Sequence, residues 1–409
     1  MTTAYWWPAS VAQDSGEMAE PGRFPDTSRP AGYGFRMVTP GPENLAHLAG
    51  PEWAEVLPAA PRHLFAPGRA WTTTHELIDR HADPDTWWEA VNSDIAIVTQ
   101  IDDGATELTD QSPWMTTDHT SSCSAPSFVF DFLTLLAPCQ GDRVLEIGTG
   151  TGWTTALLSA RIGEHSVTSV EIDPWIAEEA GKNLRNAGYA PHLITGDGAH
   201  GHPDRAPYDR VHVTCGAREI PYAWVAQSRP GGVIVLPWMH GVLGGGHKLT
   251  LTVTGDSAVG RFHGECAYMM LRDQRPEHPP IEGEARESAA RVDPRRITRA
   301  DHGLAVALAG MLPGVSVNGA DHPDGSHRLA LRHLPSGSHA LAVYPAEGGD
   351  ARVRQRGSLN LWDNAEAAYL AWVEWGEPGL DRFGLTVTPS GQYVWLDQPG
   401  SPLGGAKNG

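Results

Sequence analysis

Residues 119–127 read HTSSCSAPS, a histidine followed by hydroxyls and one thiol just before an apolar run. Serine, cysteine and histidine side chains so close together could form a nucleophile with its general base. Such chemistry needs the base within hydrogen-bond reach and a third group that orients it. No Gly-x-Ser-x-Gly elbow or cysteine-protease signature surrounds the stretch, so a hydrolase using His119 has little support. Cys123 is more typical of a small buried residue.

A second stretch with chemical potential, EIGTGTGW at residues 146–153, follows a short apolar run. Its three glycines allow backbone amides to approach a ligand closely where a helix begins. A phosphate-binding P-loop would end in Gly-Lys-Ser/Thr, which is absent here. A dinucleotide fingerprint would place its third glycine at Trp153, where the indole would meet the pyrophosphate. Both phosphate-binding interpretations are therefore weakened.

Acidic residues at three successive strand ends favour S-adenosylmethionine as the ligand, with NAD as the weaker alternative. Glu146 suits the ligand's ammonium group, and Glu171 can accept both ribose hydroxyls. Asp197 can accept from the adenine amino group, while Gly198 leaves space for the ring. Each residue alone could be a cap or a turn former, but chance rarely supplies all three. The expected cofactor-binding residues are Ser122, Glu146, Gly148, Thr149, Gly150, Gly152, Glu171, Ile172, Asp197, Gly198 and Thr214.

The segment GDGAHGHPD places His200, His202 and Asp204 at spacings that a metal ion could use. Two histidines in a polar loop without further ligands in pattern are usually surface residues. If S-adenosylmethionine donates its methyl group to an oxygen, that transfer also needs no metal. We therefore expect no metal site, and S-adenosyl-L-homocysteine as the spent cofactor.

Five short apolar runs supply the strands that would position these residues. They alternate mostly with helical segments, which is typical of a parallel sheet covered on both faces. The expected fold class is α/β, a doubly wound, Rossmann-like methyltransferase domain that binds S-adenosylmethionine. The runs are residues 143–147, 166–172, 192–197, 209–216 and 231–237.

Composition divides the rest of the chain into flanking regions. A Pro- and Gly-rich start carrying Trp6 and Trp7 predicts an irregular arm, and a charged, Pro-rich stretch after the core predicts a linker. The predicted boundaries are 1–45 for the arm, 46–118 for a helical substrate-side region, 119–272 for the methyltransferase core, 273–298 for the linker and 299–409 for a small α+β C-terminal domain.

Several antiparallel elements are expected outside the parallel strands. Residues 248–253 and a partner around 265–271 would extend one sheet edge. Two later hairpins are indicated by HRLALRHL and HALAVY around PSGS, and by FGLTVT and YVWL around PSGQ. Between them lies a helical stripe expected to be core rather than a ligand site, made of Leu361, Ala365, Tyr369, Trp372 and Val373.

Charge and cysteine usage restrict the partners and the compartment. With 30 basic and 49 acidic residues the formal net charge is −19, which disfavours nucleic acid and anionic membranes. Such a charge would attract a basic peptide, but taken alone it is more typical of a surface that keeps a protein in solution. Four cysteines without close spacing predict reduced thiols in the cytoplasm. No signal peptide or apolar run of membrane-spanning length is seen in the sequence.

Seven motifs in order resemble the protein L-isoaspartyl O-methyltransferase family over about residues 50–240. They are PRHLFAP (61–67), SAP (124–126), VLEIGTGTGW (144–153), VEID (170–173), GDG (196–198), VTCGAREIP (213–221) and RPGGVIVLP (229–237). The resemblance implies a methyltransferase that uses S-adenosylmethionine to esterify a carboxylate. It also implies a substrate loop formed by Ser121, Cys123, Ser124, Ala125, Pro126 and Ser127.

Two departures distinguish the chain from repair enzymes of that family. The family's loop typically reads Thr-Ile-Ser-Ala-Pro-His, whereas Ser127 stands here in place of the histidine. The chain also carries a long C-terminal region that repair enzymes are expected to lack. Both features resemble the branch associated with ribosomally made, modified peptides (graspetide, lanthipeptide and imiditide systems), which implies methylation of an ordinary aspartate followed by closure to aspartimide.

Methyl transfer to a carboxylate depends mainly on placing the carboxylate oxygen close to the methyl group. It needs no strong base, because the ionised carboxylate is itself the nucleophile. Ser124, which matches the family's loop serine, is the expected catalytic residue and would hold one carboxylate oxygen. Three hypotheses follow: a precursor-peptide aspartyl methyltransferase, a repair-type isoaspartyl methyltransferase, and a non-catalytic peptide-binding module.

Overall fold

The computed structural model describes residues 45–112, 118–277 and 279–403. The expected N-terminal arm, with Trp6 and Trp7, lies outside the described residues except for Leu45. Among the described residues, 45–130 and 131–403 belong to two separate compact units. None of the described helices has the length and apolar character that crossing a membrane requires.

The N-terminal unit contains two helices and a four-stranded antiparallel sheet in the order β2-β1-β3-β4. Asp83 caps the second helix, because its carboxylate accepts from the Thr86 amide at 3.0 Å and from the Thr86 hydroxyl at 2.7 Å. This sheet was not predicted, since its strands span only three to five residues. The elements are α1 (Ala46–Ala54), β1 (Arg69–Thr72), β2 (Leu77–Asp79), α2 (Pro84–Val91), β3 (Ile97–Ile101) and β4 (His119–Cys123).

Helix α3 (Pro126–Leu136) contains the boundary between the units. After it, five strands pair in parallel in the order β7-β6-β5-β8-β9, which confirms the doubly wound α/β prediction. The elements are β5 (Val144–Ile147), α4 (Trp153–Ile162), β6 (Val167–Glu171), α5 (Pro174–Asn186), β7 (His192–Thr195), β8 (Tyr208–Val213), α6 (Tyr222–Ala226) and β9 (Ser228–Trp238).

Strand β10 (Gly246–Val253) extends this sheet antiparallel to β9, as predicted, and β11 (Ala258–Cys266) follows it. The partner of β10 therefore begins earlier than the expected segment around residues 265–271.

A separate five-stranded antiparallel sheet, in the order β12-β16-β15-β14-β13, follows in the C-terminal half. It includes the first predicted hairpin, now β14 and β15. Strand β12 lies inside the predicted linker and pairs with β16, so that stretch is part of the sheet. The elements are β12 (Arg286–Ala289), α7 (Pro294–Thr298), α8 (His302–Met311), β13 (Val315–Asp321), β14 (His327–His333), β15 (His339–Tyr344), β16 (Arg352–Arg356) and α9 (Leu361–Glu374).

The second predicted hairpin, β17 (Phe383–Thr388) and β18 (Gly391–Leu396), is present but joins the large sheet through β11. Part of the chain after residue 299 therefore belongs to the same sheet as the parallel strands, whereas its composition predicts a separate small domain. Glycines permit the close approach: a Cβ on Gly260 would lie 1.7 Å from the Thr250 oxygen, and one on Gly384 would lie 2.5 Å from the Gly260 oxygen.

One buried cluster joins the nine-stranded and five-stranded sheets within the larger unit. It includes Val211 and Leu249 from the large sheet, Leu329 from the small sheet, and Leu304 and Trp362 from α8 and α9. In the predicted helical stripe, four residues are buried while Val373 is 36% exposed. Because these elements share one core, the C-terminal region stabilises the sheet that carries the expected cofactor site.

Candidate functional site

The glycine loop makes a tight turn between β5 and α4. Gly148, Gly150 and Gly152 have φ angles of 92°, 54° and 89°, in the left-handed region that glycine adopts without strain. A Cβ on Gly148 would lie only 2.5 Å from the Thr214 hydroxyl oxygen. The turn therefore requires glycine at this position for its conformation and for space.

Two threonines expected to bind the cofactor have hydroxyls that contact the protein. The Thr214 hydroxyl lies 3.0 Å from the Ile147 carbonyl oxygen and also contacts the Gly148 carbonyl oxygen. The Thr149 hydroxyl lies 2.6 Å from the Ser169 hydroxyl. These contacts fasten the glycine turn to β8 and β6, which keeps its backbone amides in place.

Glu146 is fully buried, and one of its two carboxylate oxygens is satisfied. Oε2 accepts from the Ser169 hydroxyl at 2.6 Å and from the Thr155 hydroxyl, whereas Oε1 has no hydrogen-bond partner among the described residues. Burial, reinforced by the charge of Glu171, raises the pKa of Glu146 to about 7. A buried oxygen without a donor fits a ligand that supplies one, such as the ammonium group of S-adenosylmethionine.

Glu171 ends β6 and ties that strand to the glycine turn. Its Oε2 accepts from the Gly150 amide at 2.9 Å, and its Oε1 accepts from the Asp173 amide at 3.1 Å. Burial raises the pKa of Glu171 although both amide bonds favour the ionised form. Each carboxylate oxygen keeps one free acceptor direction, so the residue can still receive ribose hydroxyls.

Asp197 and Gly198 form the corresponding turn after β7. The Asp197 carboxylate accepts from the Ala199 amide at 2.8 Å and caps a short 3-10 helix. A Cβ on Gly198 would lie 2.5 Å from the Ile147 side chain, so only glycine fits there. His200, for which no metal-binding role is expected, is exposed and lies 3.2 Å from the Asp197 carboxylate.

The structure brings these residues to one edge of the sheet, where β5, β6, β7 and β8 have their carboxyl ends. The turns are directly connected, because the Gly148 amide donates to the Val170 oxygen at 2.8 Å and the Gly196 amide donates to the Glu171 oxygen at 2.8 Å. Ligands of doubly wound sheets bind at this edge. The donors, acceptors and open glycine turns here fit S-adenosylmethionine. Within the described part of the chain, no group of three or more metal-ligating side chains is arranged to hold a metal ion.

The expected substrate loop lies in the N-terminal unit. Ser121 and Cys123 belong to β4 and are buried, and the Ser127 amide donates to the Asp94 carboxylate at 2.9 Å. The half-buried Ser124 hydroxyl makes no hydrogen bond with any described residue. That hydroxyl is therefore available to a ligand.

Arg62, in the PRHLFAP motif, organises this loop, and its role was missed in the sequence. The side chain is 1% exposed and donates hydrogen bonds to backbone carbonyls on both sides of the loop. The acceptors are the oxygens of Val91 at 2.9 Å, Ser93 at 3.2 Å, Ile95 at 2.8 Å, Cys123 at 3.0 Å and Ser124 at 2.9 Å. Arg62 thus links the turn after α2 to the chain around Ser124.

His119, the possible general base, is neutral at physiological pH, because burial and the charge of His75 lower its pKa to about 4. Its ring packs edge-on against Trp71 with a centroid distance of 6.2 Å. Cys123 is 2% exposed. The geometry favours packing roles for both residues.

Residues 104–274 match the family model described as Protein-L-isoaspartate(D-aspartate) O-methyltransferase (PCMT). The chain is 46% identical over 116 residues to the protein-L-isoaspartate O-methyltransferase of Thermococcus onnurineus, covering 28% of this chain and 52% of the relative. It is 36% identical over 155 residues to that of Methanopyrus kandleri, covering 36% of this chain and 66% of the relative. The chain thus spans about half to two thirds of the length of these curated relatives.

A solved structure named protein-L-isoaspartate O-methyltransferase shares the fold, with a TM-score of 0.50 at 20% identity. The overlap covers 88% of this chain and 100% of that protein, so it includes much of the region after residue 274. The expectation that enzymes of that name lack a C-terminal region does not hold for that protein. Residues 104–274 are therefore similar to protein-L-isoaspartate O-methyltransferases, and the larger unit has the Rossmann-like fold of S-adenosylmethionine-dependent methyltransferases.

Proposed function

We propose that this chain is an S-adenosylmethionine-dependent O-methyltransferase that methylates an aspartyl-derived carboxylate in a peptide. The observation that carries the proposal is the carboxyl edge of the parallel sheet, where the unsatisfied Glu146 oxygen lies beside the glycine turn and Glu171. The family match over residues 104–274 supports the same reaction class.

The residues of the chain act by binding and orientation. S-adenosylmethionine, when bound, supplies the methyl group on a sulfonium. Glu146 receives the ammonium end and Glu171 the ribose, while Ser124 donates its free hydroxyl to one oxygen of the substrate carboxylate. No residue has to remove a proton from that carboxylate, because it is ionised near neutral pH. Orientation of the two reactants then provides most of the acceleration.

The finer proposal is that the substrate is an ordinary aspartate in a ribosomally made precursor peptide, basic enough to suit the net charge of −19. After methylation, the backbone nitrogen of the next residue attacks the ester carbonyl and loses its proton as methanol leaves. A five-membered aspartimide forms, which water can open to isoaspartate. Ser127, in place of the family's histidine, supports a changed substrate.

Repair of isoaspartyl proteins is the second candidate. It is favoured by the names of the relatives that are 46% and 36% identical over the matched segment. The shared fold of the solved structure over much of the C-terminal region also means that this region by itself does not separate the two candidates.

Mass spectrometry of defined peptides tests both candidates. The enzyme is incubated with S-adenosylmethionine and matched peptides that carry aspartate, isoaspartate or asparagine at one position. A gain of one CH2 on the isoaspartyl peptide alone supports repair, whereas a CH2 gain or a loss of water on the aspartyl peptide supports tailoring. If no peptide changes mass and no S-adenosyl-L-homocysteine forms, including with a short aspartate-containing peptide encoded beside the gene, both candidates fail.

Ser124→Ala should reduce turnover while cofactor affinity stays nearly unchanged, since the serine is assigned to the carboxylate. Ser93→Ala, in the same unit with an exposed hydroxyl that bonds the Glu89 oxygen, is the matched control. A collapse of cofactor affinity in Ser124→Ala would contradict the role assigned to Ser124.

A further inference from the structure

The loop after β8 is held by side chains from distant parts of the larger unit. Gln274 accepts from the Arg218 amide at 2.7 Å and from the Glu219 amide at 3.0 Å, and donates to the Glu219 oxygen at 2.7 Å. The Trp238 indole donates to the Arg218 oxygen at 2.9 Å. The backbone of Arg218 is therefore hydrogen-bonded on both sides.

The C-terminal hairpin β17–β18 adds further hydrogen bonds to this loop. Gln392 of β18 donates to the Arg218 oxygen at 2.8 Å and accepts from the Ile220 amide at 2.9 Å. The strand thus reaches a loop 174 residues earlier in the chain. These hydrogen bonds fix the position of the Arg218 backbone, from which its side chain extends.

The Arg218 guanidinium forms no close ion pair among the described residues, although the charge of the exposed Glu219 acts on it. The residue is half-buried, and its guanidinium makes no hydrogen bond or ion pair with any residue that the structure describes. Its Nη2 lies near Gly241, where an added Cβ would come within 3.6 Å of that nitrogen. The neighbouring His240 is neutral, since burial holds its pKa well below its usual range. Burial lowers the pKa of Arg218 despite the Glu219 charge, because a partly desolvated cation without a directly bonded partner is costly.

The location of Arg218 suggests what would pair with it. The loop follows β8 at the same carboxyl edge as the glycine turn and Asp197. Thr214, at the start of this loop, contacts the Gly148 carbonyl. A guanidinium with its donors free is suited to a carboxylate, which it can hold through two parallel hydrogen bonds.

We propose that Arg218 binds a carboxylate of the peptide substrate and is a specificity-determining residue of this site. The inference rests on the proposed function, since that function requires a carboxylate-bearing peptide at this edge of the sheet. The C-terminal hairpin then has a definite part in substrate recognition, because Gln392 holds the Arg218 backbone in place.

The test uses three labelled peptides of one sequence, with aspartate, isoaspartate or asparagine at one position, titrated in the presence of S-adenosyl-L-homocysteine and followed by fluorescence anisotropy. Wild-type protein should bind a carboxylate peptide about tenfold more tightly than the asparagine peptide, the lower end of what a charge-assisted hydrogen bond contributes because the site is partly open to water. Arg218→Met should abolish this preference.

Arg218→Lys keeps the charge but loses the paired donors, so it should retain only part of the preference. Arg354→Met, on the exposed side of β16, is the control and should behave as wild type. Cofactor affinity should stay within about twofold in all variants, since Arg218 is assigned to the peptide. The proposal would be overturned if Arg218→Met kept the full preference for carboxylate peptides over the asparagine peptide. It would also be overturned if the KM of Arg218→Met for the methylated peptide equalled that of wild type. If Arg218→Met fails to fold, Arg218→Lys decides by the same comparison.

Succinate, followed by ligand-observed NMR, separates failure of this inference from failure of the proposed function. If no peptide is methylated but succinate binds wild type and not Arg218→Met, the proposed function fails and the carboxylate site stands. The carboxylate site is refuted if succinate and all three peptides bind wild type and Arg218→Met equally. It is also refuted if succinate binds neither protein and wild type shows no preference for the carboxylate peptides. In either case the proposed function is judged separately, by the mass analysis of the methylation reaction.

Discussion

Replacing Arg62 with methionine should loosen the substrate loop and leave the cofactor edge unchanged. Methionine preserves much of the volume and removes all five hydrogen bonds that the guanidinium donates to backbone carbonyls. Those carbonyls belong to the end of α2 and the segment that follows it, and to the end of β4 and the residue after it. Both segments therefore lose their shared donor.

The expected loss of stability follows from the burial of the acceptors. Two of the five bonds, to Val91 and Cys123, are fully buried, and a buried carbonyl without a donor costs about 1–3 kcal/mol. These two alone give about 2–6 kcal/mol, while water can reach the partly buried acceptors. We expect Arg62→Met to lower the free energy of unfolding of the N-terminal unit by about 3–5 kcal/mol.

Urea unfolding followed by tryptophan fluorescence measures the loss, and hydrogen exchange in β3 and β4 assigns it to this unit. Arg62→Lys should be intermediate, because one ammonium cannot reach carbonyls on both sides. Arg69→Met is the control, since that side chain is 46% exposed and its ion pairs are 3.7 Å long, worth less than about 1 kcal/mol. An Arg62→Met protein within about 1 kcal/mol of wild type, with unchanged exchange in β4, would refute the reasoning.

Three further variants test the cofactor edge and the sheet. Gly148→Ala should abolish S-adenosylmethionine binding in calorimetry, because its Cβ would lie 2.5 Å from the Thr214 hydroxyl at a φ of 92°; near-normal affinity would contradict the assigned turn. Burial raises the pKa of Glu146 from 4.5 to about 7. The protonated carboxyl therefore makes its full contribution to the free energy of unfolding below about pH 4.5, and this contribution is lost as the pH rises through about 7. Glu146→Gln should remove this pH-dependent loss from urea unfolding curves and weaken cofactor binding; an unchanged pH profile would contradict the assignment. Gly260→Ala should destabilise the larger unit by more than about 2 kcal/mol, because its Cβ would meet the Thr250 oxygen at 1.7 Å; normal unfolding would contradict the strand pairing.

The parallel sheet could be predicted from sequence because its information is local. Each strand is a short apolar run that precedes a turn with glycine or acidic residues, and strand ends of one sheet share an edge. The glycine turn, Glu171 and Asp197 lie at that edge. The hairpin β17–β18 was likewise visible in its turn residues.

What could not be predicted depends on contacts between distant residues. A hairpin signal does not identify the third strand beside it, so β17 was assigned to a separate domain although it pairs with β11. The Arg62 bonds span 29 to 62 residues of sequence, and the Gln392 bond to the Arg218 carbonyl spans 174. Neither pattern has a period or a spacing that a single sequence displays. Strand β12 was hidden because a charged, exposed edge strand has the composition of a linker.

The central claim, methylation of a peptide carboxylate, is tested most directly by mass analysis of one reaction. Purified protein, S-adenosylmethionine and the matched aspartyl, isoaspartyl and asparaginyl peptides are incubated together, with Glu146→Gln as the low-activity comparison. The account predicts a gain of CH2 or a loss of water on a carboxylate peptide and no change in the asparaginyl peptide. S-adenosyl-L-homocysteine should form in an amount at least equal to the ester and aspartimide together. Unchanged masses on every peptide without formation of S-adenosyl-L-homocysteine, or equal modification of the asparaginyl peptide, would contradict it.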